Sequence, residues 1–385
     1  MKRRRILMVA GEASGDALGG ALAASLLRAD PGLHLYGAGG AAMREAGVET
    51  IIDTAELSVM GFSELGREIV RVVGAHRRLR RELRGGGADG APDLFIPIDF
   101  PDFNLPLCKT ASRAGVPVFY YVSPQVWAWR QGRIDAIAKS VRRMLVLFPF
   151  EADIYRSHGI DAHFVGHPLA EAVAPSRPRD ETRRELGIAE GRRLVALLPG
   201  SRRREIEAML PRMLDATSGL GSVSAVIAEA PALASGLVSG IVDAWKARNP
   251  AAAAHVACRR GDTYNLLAAA DAALVTSGTA TLECALVGCP MVVAYRMSAL
   301  SYSVARRLVR VPFIAMPNLL LGRRVVCELV QDEAEPQAMR EELSRILEDA
   351  PLRERMRADF AEIRALLVRP GAADRAAALA LELVA

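Results

Sequence analysis

Asp99 and Asp102 follow the apolar run Leu94-Phe95-Ile96-Pro97-Ile98, and the next polar side chain is Asn104. A carboxylate at the carboxyl end of a buried strand is placed to act as a general base, worth about 10²–10⁴-fold when it reaches the proton it removes. Asp102 is the better cap for the helix that Pro101 opens, which leaves Asp99 as the candidate for chemistry. A second acidic loop, Gly11-Glu12-Ala13-Ser14-Gly15-Asp16, lies between the run Ile6 to Ala10 and an Ala/Leu-rich helical stretch. In open parallel sheets the ligand lies beyond the strand ends, where a helix N-terminus offers unpaired N–H groups. With Glu12 and Asp16 beside those groups, the loop suits a hydroxyl-rich ligand better than a second anion. Its spacing is not G-x-G-x-x-G, which weakens a dinucleotide reading.

The second half repeats the pattern with different chemistry. Leu194 to Leu198 runs into Pro199-Gly200-Ser201-Arg202 and then a helix. Gly200 lets the backbone approach an anion, Ser201 can donate, and Arg202 can fork onto a diphosphate. The plainer alternative makes Ser201 an N-cap and leaves the arginines on the helix surface. Ala273-Leu274-Val275 runs into Thr276-Ser277-Gly278-Thr279. A capping box from Ser277, Thr279 or Thr281 needs Glu or Gln three residues on, and those positions hold Ala280, Leu282 and Cys284. Glu283 is therefore free to accept both hydroxyls of a ribose from the first turn of its helix. Phosphate-sized loops and a ribose-sized carboxylate together predict a nucleoside diphosphate in this half. In the first half, Trp127 and Trp129 flank Ala128 after Ser123-Pro124-Gln125-Val126. A tryptophan pair beside a polar loop suits a sugar or acyl pocket, although packing alone explains one of the two. Pro317-Asn318 and Glu328-Leu329-Val330-Gln331 offer further amide and carboxylate groups.

No metal or cofactor is expected. There is no H-E-x-x-H, the histidines are dispersed, and the D-x-D of metal-dependent sugar transfer is absent. Arg202 and helix N-termini would then neutralise a departing diphosphate.

The elements that must position these groups are α/β. At 385 residues the chain exceeds one ordinary core, and strand and helix signals alternate along it. Strands are expected near 5–10, 33–37, 94–98, 117–122, 144–148 and 162–165, then near 193–198, 223–228, 253–257, 272–275 and 290–294, with a helical tail from Pro336. Pro168 to Asp180 reads as a hinge between two domains. Residues 63–84 form a basic helix with Leu65, Ile69, Val72, Val73 and Leu79 at helical spacing. It is either an outer helix with a solvated face or an interfacial helix docking on anionic lipid.

Net charge is +5, and lysine occurs only at positions 2, 109, 139 and 246, so the positive charge is almost all arginine. That fits either genomic composition bias or phosphates and anionic surfaces. Five scattered cysteines without C-x-x-C point to a reducing cytoplasm rather than a disulfide framework. The apolar run behind Lys2-Arg3-Arg4-Arg5 is too short for a signal h-region, and Glu229 and Pro231 interrupt the longest apolar stretch, so no membrane span is expected.

Read in order, Ala10 to Asp16, Ile98 to Asn104, Ser123 to Arg130, Val165-Gly166-His167-Pro168, Leu198 to Arg202, Ser277 to Glu283, and Pro317-Asn318 with Glu328 to Gln331 closely resemble bacterial lipid-A-disaccharide synthase over nearly the whole chain. The resemblance implies a GT-B glycosyltransferase, two Rossmann-like lobes facing a central cleft. These would be an acceptor-binding lobe over 1–168, a UDP-sugar-binding lobe over 169–345, and a helical tail over 346–385 crossing between lobes. It implies an inverting enzyme that joins UDP-2,3-diacylglucosamine to 2,3-diacylglucosamine 1-phosphate, releasing UDP and a β-1,6-linked disaccharide 1-phosphate. Asp99 is then the base on the acceptor 6-hydroxyl, with Glu12 as second candidate. Ser14, Gly15, Asp16, Asn104, Trp127, Gly200, Ser201, Arg202, Ser277, Gly278, Thr279, Glu283, Asn318, Glu328 and Gln331 are the substrate-binding set. The resemblance further implies a peripheral enzyme on the cytoplasmic face of the inner membrane, touching anionic lipid, binding no nucleic acid and able to form a homodimer. Pro97, Phe100 and Cys327 depart from the family's usual residues. Rival readings are another two-lobed UDP-sugar enzyme, either a transferase acting on a different lipid carrier or a 2-epimerase, and a non-catalytic nucleotide-sugar or membrane-binding module. A nicotinamide oxidoreductase lacks its glycine fingerprint.

Overall fold

The computed structural model describes residues 3–54, 57, 65–87, 89–124, 131–231, 233–298, 302–303 and 311–384. The chain divides into two compact units, residues 1–168 together with 369–385, and residues 169–368.

The first unit is built on a parallel sheet of strands β1 (Arg5–Ala10), β2 (His34–Gly39), β3 (Glu49–Asp53), β4 (Leu94–Ile98), β5 (Phe119–Tyr121), β6 (Arg143–Val146) and β7 (Asp161–Phe164), in the order β3-β2-β1-β4-β5-β6-β7. The central strands read as unbroken apolar runs because both faces of the sheet are covered. Leu7, Val9, Phe95 and Tyr120 point into one core with Leu79, Leu83 and Leu107. Ile6, Met8, Ile96 and Phe119 point into the other with Leu22 and Leu26. The period of two along each strand assigns alternate residues to opposite cores.

The second unit repeats the plan with β8 (Arg193–Leu198), β9 (Val223–Glu229), β10 (Val256–Arg260), β11 (Ala272–Thr276), β12 (Met291–Tyr295) and β13 (Cys327–Val330), ordered β10-β9-β8-β11-β12-β13. In each sheet the order reverses once, between β1 and β4 and between β8 and β11. Those are the switch points at which open α/β sheets bind ligands beyond their strand ends.

Strands β3 and β13 were not expected from the sequence. Both lie on sheet edges, and β3 carries only one buried residue, Ile52, in Glu-Thr-Ile-Ile-Asp. Strand β10, another edge, begins at Val256, a few residues later than its apolar signal. The tail also departs from expectation. Helices Pro336–Glu348 and Ala350–Leu367 stay with the second unit, and the chain joins the first only from Arg369. There helix Ala372–Leu381 buries Ala372, Ala376, Ala377 and Ala380 in the core that holds Leu22 and Leu26, packing on helix Ala13–Ala29.

The basic helix spans Leu65–Leu83. Ala75, Leu79 and Leu83 are buried and Val72 partly so, whereas Val73, expected on the packed face, is 40% exposed and Val70 is 71% exposed. Arg71, Arg77, Arg78, Arg80 and Arg81 are all exposed. No helix among the described residues is long and apolar enough to cross a membrane.

Candidate active site

The candidates in the first unit converge on its switch point. Ala10 and Ile98 are register partners at the ends of β1 and β4, so Gly11 and Asp99 leave the sheet side by side. Asp99 and Phe100 both adopt left-handed backbone, φ +48° and +49°. This region is rarely occupied outside glycine, and such strain persists only where the surroundings over-determine it. The surroundings here are specific. The Asp99 N–H donates to the Tyr121 carbonyl at 2.9 Å. The Asp99 carbonyl accepts from Asn104 Nδ2 and from the Tyr120 hydroxyl, each at 2.8 Å. The Phe100 ring seats on Gly11, where a Cβ would lie 2.2 Å from it, and stacks on Phe103 at 5.3 Å.

Phe100 holds the cap position of helix Pro101–Arg113, so Asp99 is not its N-cap residue. Asp102 is exposed and pairs with Arg133 at 2.9 Å. Burial pushes the Asp99 carboxyl above its ordinary value; the Phe100 N–H opposes this, and the charge of Glu12 adds to it. A carboxylate made more basic in this way is a stronger proton acceptor.

Glu12 takes the extended cap position of helix Ala13–Ala29 without a side-chain bond to it. Glu12 and Ser14 are exposed, while Gly15 is buried against Ile98. Asp16 is buried and accepts the N–H groups of Gly40 at 2.6 Å, Ala42 at 2.9 Å and Met43 at 3.2 Å, so it ties down the turn after β2. Asn104 is likewise wholly buried and committed to the Ile98 and Asp99 carbonyls. It positions the Asp99 turn from beneath. Trp127 and Trp129 lie outside the described residues.

In the second unit, Leu198 and Val275 are register partners, which sets the Gly200 and Gly278 loops next to each other. Gly200 has φ +109°, and a Cβ there would lie 2.7 Å from Glu205 Oε2. The extended cap position of helix Arg203–Ser218 belongs to Arg202, so Ser201 is not the N-cap. Ser201 and Arg202 are exposed, and Arg202 is tethered to Glu205 at 2.8 Å. Gly278, at φ +148°, caps helix Thr279–Val287 with open space where a side chain would be.

Thr279 is exposed, whereas the Ser277 hydroxyl donates to the Ile314 carbonyl at 2.8 Å and so anchors the loop instead of reaching outward. Glu283 is the fifth residue of its helix, just past the first turn in which it was expected. It is half-buried, raised by that burial, and accepts the Tyr264 hydroxyl at 3.1 Å.

Asn318, Glu328 and Gln331 are bonded within the second unit. Asn318 is fully buried; it accepts N–H from Val325 at 2.6 Å and Val326 at 2.9 Å and donates to the Val326 carbonyl and to Glu328 Oε1. Glu328 also accepts the N–H groups of Ile314 and Ala315, both at 3.0 Å. Gln331, at φ +57°, closes a two-bond clamp on the backbone of Met297. These side chains are internal fasteners that shape the ends of β12 and β13. Each makes these bonds within its own unit.

The left-handed non-glycine residues among those described are Asp99, Phe100, Val122 and Gln331, and all four directly follow strands β4, β5 or β13. Strain therefore gathers along the strand ends where the candidate groups lie. Tyr120 and Tyr264 were missed in the sequence. The one signal for Tyr120 was a phenol inside a strand run, which must find a buried partner for its hydroxyl.

Doubly wound sheets with an acidic switch point in one unit and two glycine turns at helix N-termini in the other define a two-Rossmann glycosyltransferase of the GT-B class. Solved structures share this fold at identities that carry the fold alone. Anabaena Alr3699/HepE in complex with UDP matches with a TM-score of 0.59 at 14% identity, over 99% of each chain. Acinetobacter baumannii MurG matches at 0.56 and 14%, over 98% of this chain and 99% of that one.

Within the class, the profile of the lipid-A-disaccharide synthetase family matches residues 6–382, and the chain belongs to that family. It is 42% identical over 390 residues to the lipid-A-disaccharide synthase of Syntrophus aciditrophicus, covering 100% of this chain and 99% of that protein. It is 43% identical over 380 residues to that of Geobacter sulfurreducens, covering 99% and 97%. The chain is thus a glycosyltransferase of lipid A disaccharide synthesis.

Proposed function

We propose that this chain transfers the 2,3-diacylglucosaminyl group of UDP-2,3-diacylglucosamine to the 6-hydroxyl of 2,3-diacylglucosamine 1-phosphate, with inversion, to give the β-1,6-linked disaccharide 1-phosphate and UDP. Asp99 carries the reading: a carboxylate of raised basicity, held on strained backbone at a switch point. Asp99 takes the proton of the acceptor hydroxyl as its oxygen attacks the anomeric carbon. The bond from that carbon to the diphosphate oxygen breaks, and its electron pair leaves with UDP. Arg202, Ser201 and the N–H groups that open the helices after Gly200 and Gly278, with Thr279, spread the departing charge. Glu283 accepts the ribose hydroxyls. Glu12, exposed in the first loop, raises the basicity of Asp99 by its charge and is the second candidate base.

Both substrates carry acyl chains, and the exposed Val70 and Val73 among arginines suit an anionic lipid surface. The test is incubation of the pure protein with the two lipid sugars, followed by the product's mass and anomeric configuration. Asp99→Asn retains UDP affinity and loses about 10²–10⁴ in kcat; unchanged turnover removes Asp99 from the mechanism. Epimerised donor in place of a disaccharide overturns the transfer reaction.

A further inference from the structure

We propose that Tyr264 is a positioning residue that sets ribose selectivity at the nucleotide site by orienting the Glu283 carboxylate. The inference rests on the reading that Glu283 accepts the ribose hydroxyls. Tyr264 enters helix Thr263–Ala269 just after β10, and this helix packs on the one that carries Glu283. Its hydroxyl donates to Glu283 Oε1 at 3.1 Å, the one hydrogen bond to that carboxylate among the described residues. A glutamate has several rotors, and a half-buried one without a fixed partner meets a ligand in many orientations, so ordering it on binding costs affinity. The phenol removes much of that freedom beforehand. It occupies one oxygen and leaves the other, with the remaining lone pair of the first, for a vicinal diol.

The site is partly desolvated, since burial raises both Glu283 and Tyr264, the latter to about 12, so the phenol stays protonated as donor across the working range. Glu283 was legible as a free carboxylate in the sequence. The residue that aims it was not, because Tyr264 precedes it by 19 positions on another helix.

Calorimetric titration of the full chain with UDP and with 2′,3′-dideoxy-UDP tests the inference in the wild type, in Tyr264→Phe and in Glu283→Gln. The expected result is that Tyr264→Phe weakens UDP by about three- to tenfold, the range for one lost hydrogen bond, and leaves dideoxy-UDP unchanged. Glu283→Gln abolishes most of the preference for UDP. If Tyr264→Phe keeps the wild-type preference, or weakens both nucleotides equally as a packing defect would, the role of Tyr264 is overturned while that of Glu283 stands. If Glu283→Gln keeps the preference, the ribose reading itself falls.

Discussion

At the scale of single residues, the Asp99 turn trades stability for reactivity. Its carboxyl is raised, so the folded chain holds that proton more firmly than the unfolded chain does. The stability tied to the proton is present below the unfolded value and is lost as pH rises through the folded one. At neutral pH the ionised group therefore costs stability, and Asp99→Asn melts at a higher temperature than the wild type, by a margin that closes as the pH is lowered into the carboxylate range. The acid limb of kcat/KM in the wild type accordingly lies above that of an ordinary aspartate. Gly11 gives a second, independent test. Gly11→Ala drives a methyl into the Phe100 ring and destabilises the first unit by about 1–3 kcal/mol, and Phe100→Ala in the same chain restores much of the loss in a double-mutant cycle of melting temperatures. Asp99 was singled out because it directly follows an apolar run, and Arg202 and Glu283 because they follow such runs by a loop and by a loop and a helical turn. Asp16, Asn318, Glu328 and Gln331 were singled out in the same way, and each also makes hydrogen bonds within the fold. The N–H that Asp16 accepts lies 24 residues ahead, and nothing local in a sequence announces such a partner.

At the scale of elements, strands buried on both faces were plain from their apolar runs, while edge strands β3 and β13 were hidden by mixed composition. Strand order was beyond reach as well: the runs show where strands are, and only the packed sheet shows that β4 and β11 lie beside β1 and β8. That adjacency brings together loops far apart in the chain. Helix Leu65–Leu83 shows how periodicity marks a packed face without saying how wide it is. Among the residues whose burial is described, its packed stripe holds Ala75, Leu79, Leu83 and partly Val72, and Val70 and Val73 are left outside it. Replacing both valines with aspartate lowers binding to anionic vesicles at least about tenfold in flotation, since each buried valine contributes about 1.5–3 kcal/mol, and leaves UDP affinity unchanged. Equal flotation of variant and wild type assigns the helix to packing alone.

At the scale of the whole molecule, the chain is not two beads in succession. Its last residues complete the unit that its first residues began. A chain ending at Val368 lacks helix Ala372–Leu381 and exposes the apolar ground around Leu22 and Leu26. Its first unit unfolds at a lower temperature, while the second still binds UDP, which calorimetry and titration on one sample resolve. The same return of the chain bears on biosynthesis. Translation delivers residues 169–368 before helix Ala372–Leu381, so the later-made unit has its full complement of chain while the earlier-made one still waits for its closing segment. The growing protein thus carries an uncapped hydrophobic seam until helix Ala372–Leu381 is made and docks beside Leu22 and Leu26.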